Sequence, residues 1–240
     1  MRLPSTDDAS AEIEPAFTRW QRADSRSVAV SYHGQAPKAY PAPQWPTPVV
    51  GLDFNAHTTP LSRGNMKIVV TGGAGFIGSN FLNLLVPRHP EHMFINVDEL
   101  TYAANLKNLA PIEKAPNYAF RRVDIAKFDQ VMALFEEESP DLVVHFAAES
   151  HVDRSISAPR TFIRANVEGT GNLLEACRAH WKPGQGLFHH VSTDEVYGSL
   201  GETGFFTEDT RYDPSSPYSA SKAASDHLVR AYVRTFGLAA

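Results

Sequence analysis

The chain is poor in cysteine, in long apolar segments and in positive charge. Cys177 is the single cysteine among 240 residues, so no internal disulfide can form and a reducing cytoplasm fits the composition. No apolar run reaches the roughly 18 residues that a membrane helix needs. The formal net charge of −5 disfavours nucleic acid as a partner, because nucleic-acid binding needs a basic face. What remains is the composition of an ordinary globular protein, with 42% hydrophobic and 20% charged residues.

Residues 1–65 differ in composition from the rest of the chain. They contain eight of the 17 prolines and show no sustained helical or strand period, which predicts a disordered or loosely draped leader. This leader is either a genuine tail or an over-extended reading frame that precedes a true start at Met66. The run MKIVVTGGAGFIG resembles the natural beginning of a domain and favours the second interpretation.

From Met66 onward, short apolar strands alternate with amphipathic helices. This alternation predicts a parallel sheet with helices on both faces, that is, a Rossmann-type doubly wound α/β fold over residues 66–240. The predicted strands are Lys67–Thr71, Met93–Val97, Tyr118–Arg122, Asp141–Phe146 and Leu187–Ser192. The predicted helices are Phe76–Val86, Lys127–Glu138, Ala158–Trp181 and Pro217–Phe236.

A glycine pattern follows the first predicted strand and opens the first predicted helix. The spacing of Gly72, Gly75 and Gly78 allows a tight turn and close backbone approach to a pyrophosphate, with the helix N–H groups facing the phosphate charge. A plain turn is the alternative interpretation. Asp98 ends the second strand, where a carboxylate binds the adenosine ribose and repels a 2′-phosphate, so NAD is favoured over NADP. Asp124 either faces the adenine or caps the next helix, and both can hold.

Tyr218 and Lys222 are four residues apart on a predicted helix and therefore share a face. A free tyrosine titrates at about pH 10, but a nearby ammonium and a positive nicotinamide ring would favour the phenolate. The alternative is an ordinary exposed helix pair.

Asp194 and Glu195 follow the fifth predicted strand, at the end of the sheet where α/β proteins bind ligands. Two acids there can act as a protonated donor and an ionised base if their surroundings separate their pKa values. Thr193 could donate a hydrogen bond to the same substrate. A solvated acidic loop is the alternative. Together with a Tyr-Lys pair and a nucleotide loop, these residues predict hydride transfer combined with elimination of water.

The histidines predict no metal site, because the ten of them show no compact metal-ligand spacing. His189 and His190 lie in the fifth predicted strand, where one is expected to be buried and the other to pack on the opposite face.

Five segments carry a resemblance to a known family. They are VTGGAGFIGSN, VDELTYAANLKNL, HFAAESHVDRSI, HHVSTDEVYG and SPYSASKAASDHLVRAY, which together span nearly all of residues 66–237. From Met66 onward the chain resembles the dTDP-glucose 4,6-dehydratase family of the extended short-chain dehydrogenase/reductases.

The resemblance implies a reaction cycle with bound NAD and a nucleotide-sugar substrate, dTDP-glucose. Tyr218, helped by Lys222, removes the proton of the sugar 4-hydroxyl while hydride passes from C4 to NAD⁺. Glu195 then takes the C5 proton and Asp194 protonates the departing 6-hydroxyl. Water leaves and hydride returns to C6, which gives dTDP-4-keto-6-deoxyglucose. Thr193 would bind near the 4-oxygen.

The same resemblance implies a set of binding residues. Ser150 and Thr193 would contact the substrate, and Ala165 stands where the family often has a cofactor-contacting threonine. The NAD site would be formed by Gly72, Gly75, Phe76, Ile77, Gly78, Asp98, Glu99, Leu100, Thr101, Asp124, Ile125, Phe146, Ala147, Ala148, Glu149, Ser150, Tyr218 and Lys222.

Compared with that family, the chain is expected to be an N-terminal fragment. A sixth strand and a smaller C-terminal substrate domain would be missing, leaving the fifth strand as an exposed edge. Such a fragment should bind NAD but be weakly active or inactive. A homodimer through the two longest helices is expected if the fold is completed. The alternatives are a nucleotide-sugar 4-epimerase, which has no use for Asp194 and Glu195, and a non-catalytic NAD-binding module.

Overall fold

The computed structural model describes residues 64–182 and 184–240. The predictions for residues 1–65 therefore lie, apart from Gly64 and Asn65, outside the described residues. The described chain forms a five-stranded sheet of order β3-β2-β1-β4-β5 in which every neighbouring pair is parallel. The strands are β1 Lys67–Thr71, β2 Met93–Asp98, β3 Tyr118–Arg122, β4 Leu142–His145 and β5 Leu187–His190. The predicted doubly wound α/β fold is confirmed.

The helices are α1 Phe76–Leu85, α2 Phe128–Glu138, α3 Val152–Ser157, α4 Pro159–Phe162, α5 Gly169–His180 and α6 Pro217–Phe236. A π-helical turn, Ile163–Glu168, joins α4 to α5, and short 3₁₀ turns span Leu106–Leu109 and Asp194–Tyr197. The prediction of one continuous helix from Ala158 to Trp181 is wrong. The chain there runs as α4, the π turn and α5, and the unpredicted α3 precedes them.

Apolar clusters cover both faces of the sheet. Along β1, Val69 belongs to one cluster, which also contains Phe135 of α2 and Leu173 of α5. Ile68 and Val70 belong to the other cluster, with residues of α1 such as Leu82. Strands buried on both sides are expected to be continuous apolar runs, and β1 has this character in the sequence. Cys177 is fully buried in the first cluster.

The outer edge of β5 is partly covered. Gly237 ends α6 in the left-handed conformation, with φ +68°, and turns the chain back toward the sheet. The Phe188 N–H then donates to the Ala239 carbonyl at 2.9 Å, and Leu238 is buried in the core. The expectation that β5 is left as a bare edge is therefore wrong for this part of the strand.

His189 and His190 do not both pack against the fold. His190 is largely buried, whereas His189 is exposed. The prediction is correct for one histidine and wrong for the other, because the face of β5 that His189 occupies is open. Among the described residues, no helix has the length and apolar character needed to cross a membrane.

Candidate active site

A groove of about 550 Å³ runs along the carboxyl ends of the strands. It lies at the point where the strand order reverses, between β1 and β4, which is where open α/β sheets bind ligands. Its lining includes the predicted residues Gly72, Gly75, Phe76, Ile77, Gly78, Asp98, Glu99, Thr101, Asp124, Ile125, Phe146, Ala147, Ala148, Glu149, Ser150, Tyr218 and Lys222. Leu100, Thr193, Asp194 and Glu195 are not among the lining residues. The three last lie just beyond Ser192, which does line the groove.

The glycine loop is shaped by close backbone contacts. Gly72 adopts φ +70°, and a Cβ atom there would lie 2.6 Å from the Ala147 nitrogen. A Cβ atom on Gly78 would lie 2.3 Å from the Gly72 oxygen. Both positions therefore require glycine, for the left-handed turn and for the packing of α1 against it.

The N-terminus of α1 opens into the groove without a side-chain cap. Gly75 is its N-cap residue, and no acidic side chain stands in its first turn. Phe76 and Ile77 begin the helix and are 81% and 60% exposed, which is unusual for large apolar side chains. Uncapped helix N–H groups with a favourable dipole form a ready site for an anion.

Asp98 connects the glycine loop to the end of β2. Its Oδ2 accepts from the Ala74 N–H at 3.0 Å, and its Oδ1 accepts from the Leu100 N–H at 2.8 Å. Leu100 takes a left-handed conformation, φ +64°, and packs against the apolar cluster that contains α1. This packing explains why Leu100 does not line the groove. Burial raises the pKa of the neighbouring Glu99, and the Asp124 carboxylate adds to the rise.

Asp124 pairs with a cation that the sequence reasoning did not identify. Its Oδ2 accepts from Arg164 Nη2 at 2.9 Å, and its Oδ1 accepts from the Ala126 N–H at 2.9 Å. The predicted helix cap is not formed, because Lys127 is the N-cap residue of α2 and that helix has no side-chain cap. Arg164 and Ala165 belong to the π turn and both line the groove. The groove position of Ala165 agrees with the family resemblance, whereas the role of Arg164 could not be seen in a segment predicted as a uniform helix.

The loop after β4 is held by Asn166, again from the π turn. The Glu149 N–H donates to Asn166 Oδ1 at 2.8 Å, and Asn166 Nδ2 donates to the Glu149 carbonyl at 2.9 Å. Asn166 Nδ2 also donates to Ser221 Oγ, beside Lys222. Glu149 is 9% exposed, and its Oε2 atom has no hydrogen-bond partner among the described residues. An unpaired buried carboxylate oxygen in a groove wall is costly unless a ligand donates to it.

Tyr218 and Lys222 reach the groove from the first turns of α6. Ser216 forms a capping box with Ser219, and Pro217 follows it, which fixes where the helix begins. Both reactive side chains are buried, at 8% and 4% exposure. Lys222 Nζ donates to the Val191 carbonyl at 2.7 Å. The alternative interpretation, in which Tyr218 and Lys222 form an ordinary exposed pair on a helix, is therefore excluded.

The pKa of Tyr218 moves opposite to the expected direction. Burial raises the pKa of the Tyr218 phenol, and a hydrogen bond with Thr193 opposes that rise. Carboxylates at 194, 195 and 226 raise it further. Burial also lowers the pKa of the Lys222 ammonium. The expected phenolate depended partly on a positive ring in the groove, and the protein alone does not supply that charge.

The acidic pair occupies the 3₁₀ turn after β5. Thr193 caps this turn, since its Oγ1 accepts from the Glu195 N–H at 3.3 Å and donates to Asp194 Oδ1 at 3.4 Å. Asp194 is exposed and Glu195 is half-buried. Burial raises the pKa of Glu195, and Asp194 adds to the rise. The two carboxyl groups thus occupy different environments next to the Tyr218 phenol.

The described residues also bring His89, Glu91 and His92 together, with possible ligand atoms within 4.8 Å of one another. This cluster adjoins the amino end of β2, at the opposite edge of the sheet from the groove. Glu91 Oε1 lies within hydrogen-bond distance of His89 Nδ1, at 3.3 Å, and 3.5 Å from His92 Nε2. The sequence reasoning overlooked this spacing.

Comparison with known proteins places this arrangement in a family. The family model described as GDP-mannose 4,6 dehydratase matches residues 69–240. A dTDP-glucose 4,6-dehydratase of Neisseria meningitidis serogroup B is 54% identical over 179 residues, which cover 72% of this chain and 50% of that protein. A protein of the same name from Xanthomonas campestris pv. campestris is 56% identical over 176 residues, covering 71% and 50%. The chain thus spans about half the length of these curated relatives.

Solved structures agree with the sequence relatives. The dTDP-glucose 4,6-dehydratase of Streptomyces venezuelae, determined with NAD and TYD bound, superposes with a TM-score of 0.67 at 47% identity, covering 72% of this chain and 53% of that one. A UDP-Glc/GlcNAc 4-epimerase of Campylobacter jejuni superposes with a TM-score of 0.64 at 31% identity, covering 70% and 49%. The fold is common to both kinds of protein, while the sequence is nearer to the dehydratases.

Proposed function

The chain belongs to the GDP-mannose 4,6 dehydratase family, and from that premise we propose that its groove binds NAD and that its reactive residues dehydrate a nucleotide sugar, dTDP-glucose. One observation supports this most strongly. A glycine cradle and a buried Tyr218-Lys222 pair line the same groove, with Asp194 and Glu195 just beyond its end. A dinucleotide site and an acid-base site next to each other suit oxidation at one carbon followed by elimination at its neighbours.

The residues of the groove fit a dinucleotide. The Gly72 turn and the uncapped N-terminus of α1 would hold the pyrophosphate. The Asp98 carboxylate would accept from the adenosine ribose hydroxyls, and Glu149 Oε2 would gain the donor that it lacks. Tyr218 and Lys222 would lie at the nicotinamide end. Bound NAD would supply the hydride acceptor and donor that no side chain can provide.

The side chains divide the proton transfers among them. Tyr218 takes the proton of the sugar 4-hydroxyl, and the Lys222 ammonium favours the phenolate that results. The 4-ketone acidifies the C5–H bond, and Glu195 accepts that proton. Its raised pKa suits this role, because a base works best when its pKa is close to the working pH. Asp194 protonates the departing 6-hydroxyl, and water leaves. Thr193, which bonds to Tyr218 and to Asp194, would orient the 4-oxygen.

Two other functions use part of this site. A 4-epimerase needs the groove and the Tyr-Lys pair but not the carboxyl groups of Asp194 and Glu195. A non-catalytic NAD-binding module needs only the groove. The presence of the acidic pair in a turn that also contacts Tyr218 favours the dehydratase over both.

A labelled substrate separates the three functions. The chain is incubated with NAD and dTDP-glucose that carries deuterium at C4, and the products are analysed by NMR and mass spectrometry. A dehydratase places the deuterium at C6 of a 4-keto-6-deoxy sugar. An epimer that retains deuterium at C4 supports the epimerase, and bound NAD without turnover supports the binding module. Either of these two results would overturn the proposed activity of this chain. Because an N-terminal fragment is expected to turn over its substrate weakly, the incubation is extended until trace amounts of labelled product are detectable.

The proposed working form is a cytoplasmic homodimer. Ile156 of α3 and Ile163 of the π turn are 68% and 56% exposed, and Val233 and Phe236 of α6 are 38% and 49% exposed. Apolar side chains on neighbouring helices support an interface made by these elements. Light scattering of the chain would give twice the monomer mass of 26.4 kDa, and a monomer at all concentrations would contradict the proposal.

A further inference from the structure

A buried carboxylate lies on α6 one helical turn after Lys222. Asp226 is 7% exposed, and its oxygens accept three hydrogen bonds from outside its own helix. His190 Nε2 lies 3.0 Å from Oδ1, while Ser192 Oγ and Tyr212 OH lie 2.7 and 3.0 Å from Oδ2. Burying a carboxylate is costly unless it is paired and hydrogen-bonded. Three converging donors therefore indicate a built arrangement, not an incidental contact.

The protonation of this cluster can be assigned. Two of the donors to Asp226 are hydroxyls, and among the described residues the buried His190 Nδ1 has no hydrogen-bond partner. Burial lowers the pKa of His190, although Asp226 opposes this. The consistent arrangement is a neutral His190 that donates through Nε2–H to an ionised Asp226. Burial raises the pKa of Asp226, but the hydrogen bonds from His190 and Ser192 reverse this and leave it lowered overall.

Helix α6 holds the turn after β5 at two successive residues. Lys222 donates to the carbonyl of Val191, and Asp226 accepts from the side chain of Ser192. Thr193 follows directly and caps the acidic turn. The position of the segment after β5 relative to α6 is thus set by Lys222 and Asp226. These two side chains have opposite charge and lie four residues apart on the helix.

We propose that Asp226 is a positioning residue for Tyr218 and Lys222. It fixes the turn that carries Thr193, and it supplies the counter-charge to the buried Lys222 ammonium. This inference rests on the proposed function for its consequence in catalysis, but the arrangement itself does not need a bound cofactor. The Asp226 charge also opposes the effect of burial on the pKa of Lys222.

Several charged or titratable groups surround Asp226 and Lys222 on the packed elements. His190 faces Asp226 from β5, Tyr212 from the loop before α6, and Lys222 from the preceding turn. Besides burial, the charges of His190 and Lys222 lower the pKa of His145 on β4, and the charge of Arg230 opposes the rise that burial causes in the pKa of Tyr212. The Asp226 carboxylate in turn adds to the rise that burial causes in the pKa of Tyr218. His145 and His190 are neutral near pH 7, so the ammonium and the carboxylate dominate.

The test measures the pKa of Lys222 directly. Lysine labelled with ¹³C at Cε is incorporated, the Lys222 resonance is assigned with a Lys222→Arg variant, and its titration is followed by NMR without NAD. In Asp226→Asn the Lys222 pKa should fall by about one pH unit, because an opposite charge nearby is lost. Glu138→Gln is the matched control. It removes another buried carboxylate, which pairs with Arg121 and Lys67 away from the groove, and should leave Lys222 unchanged.

The outcomes are distinct from those that test the proposed function. An unchanged Lys222 pKa in folded Asp226→Asn would overturn the inference. A second arm measures NAD affinity against pH, and its decline on the alkaline side should begin about one pH unit lower in Asp226→Asn. If wild-type chain does not bind NAD, the proposed function fails while the NMR result still stands.

A measurement on the wild-type chain covers the case in which Asp226→Asn does not fold. The Asp226 carboxyl carbon and the Lys222 Cε are then followed together from pH 7 into the acid range. A step in the Lys222 resonance at the pH where Asp226 takes up a proton supports the inference. A flat Lys222 resonance through that pH contradicts it.

Discussion

The glycine loop lines the groove, whereas the turn Asp194–Tyr197 lies just beyond its end, and the two regions are built in different ways. At Gly72 and Gly78 the backbone itself forms the site, and the surrounding atoms leave no room for a side chain. Around Lys222 and Asp226 the backbone is ordinary helix, and the site depends on buried side chains that hold one another.

This difference predicts different weaknesses. A site made of backbone N–H groups carries no titratable group and is sensitive to volume. A site made of buried charges is sensitive to the loss of a single proton or hydroxyl, even when the volume is conserved. His145 links the glycine loop to the polar groups around Asp226. It is hydrogen-bonded to Thr71, which precedes the glycine loop, and its ring centroid lies 5.5 Å from that of His190.

The largest effect is expected from the smallest change of volume, Tyr218→Phe. Removing this hydroxyl should lower turnover of dTDP-glucose by about 10²- to 10⁴-fold, since the proton of the 4-hydroxyl loses its acceptor. NAD affinity should change little. Tyr232→Phe is the matched control on the same helix, because Tyr232 bonds to Glu175 at the far end of α6. Equal losses in both variants would show that the effect is structural.

The next effect is on the glycine loop. Gly72→Ala places a methyl group 2.6 Å from the Ala147 nitrogen at φ +70°, so we expect NAD affinity to fall at least about tenfold as the loop moves. Gly171→Ala is the control, since Gly171 lies in α5 with nothing within 4 Å of an added Cβ. That variant should bind NAD normally and gain about 0.5–1 kcal/mol of stability. Calorimetric titration measures the NAD affinity, and urea unfolding measures the stability. Normal NAD binding by Gly72→Ala would contradict the conclusion that the site requires glycine at this position.

The third and smallest effect concerns the link between the two regions. Thr170 Oγ1 donates to the Asn166 carbonyl and so accepts from His145 Nε2–H, which leaves His145 Nδ1 to accept from Thr71 Oγ1. His145 is therefore held neutral, and burial lowers its pKa well below the ordinary value. Since its folded pKa is depressed, its contribution to stability is complete above about pH 6.5 and is lost as the pH falls from there.

The free energy of unfolding should fall between pH 6.5 and pH 5, by up to about 1.4 kcal/mol per pH unit for each such histidine. His190 adds to the slope, because burial lowers its pKa too. Urea unfolding at several pH values measures the slope, and His145→Gln should reduce it. His151→Gln replaces an exposed histidine and serves as the control for the substitution itself. A flat pH dependence in the wild-type chain would contradict a buried His145 that is held neutral in the folded state.

The two regions also differ in how far the sequence predicts them. The strands and the glycine loop depend on residues close in the chain: apolar runs of four to six residues and glycines three apart. Tyr218 and Lys222 were found for the same reason, being four apart on one helix. Patterns of this kind arise from local geometry, which a single sequence displays.

The hydrogen bonds made by Asp226 and Asn166 could not be predicted, because the residues that they join lie far apart in the chain. Asp226 meets Tyr212, Ser192 and His190 across 14, 34 and 36 residues. Asn166 reaches Glu149 across 17 residues, and the π turn that carries it looks like ordinary helix in the sequence. A single exception hints at the network: an acid four residues after Lys222 lies on the same face of α6 and is a natural partner for a buried ammonium.

The most direct test of the dinucleotide site is a calorimetric titration of the chain with NAD and, in parallel, with NADP. We expect saturable binding of one NAD per chain, with NADP at least about tenfold weaker because Asp98 stands where the 2′-phosphate would lie. Failure of NAD to saturate the chain at millimolar concentration would contradict the assignment of the groove as a dinucleotide site.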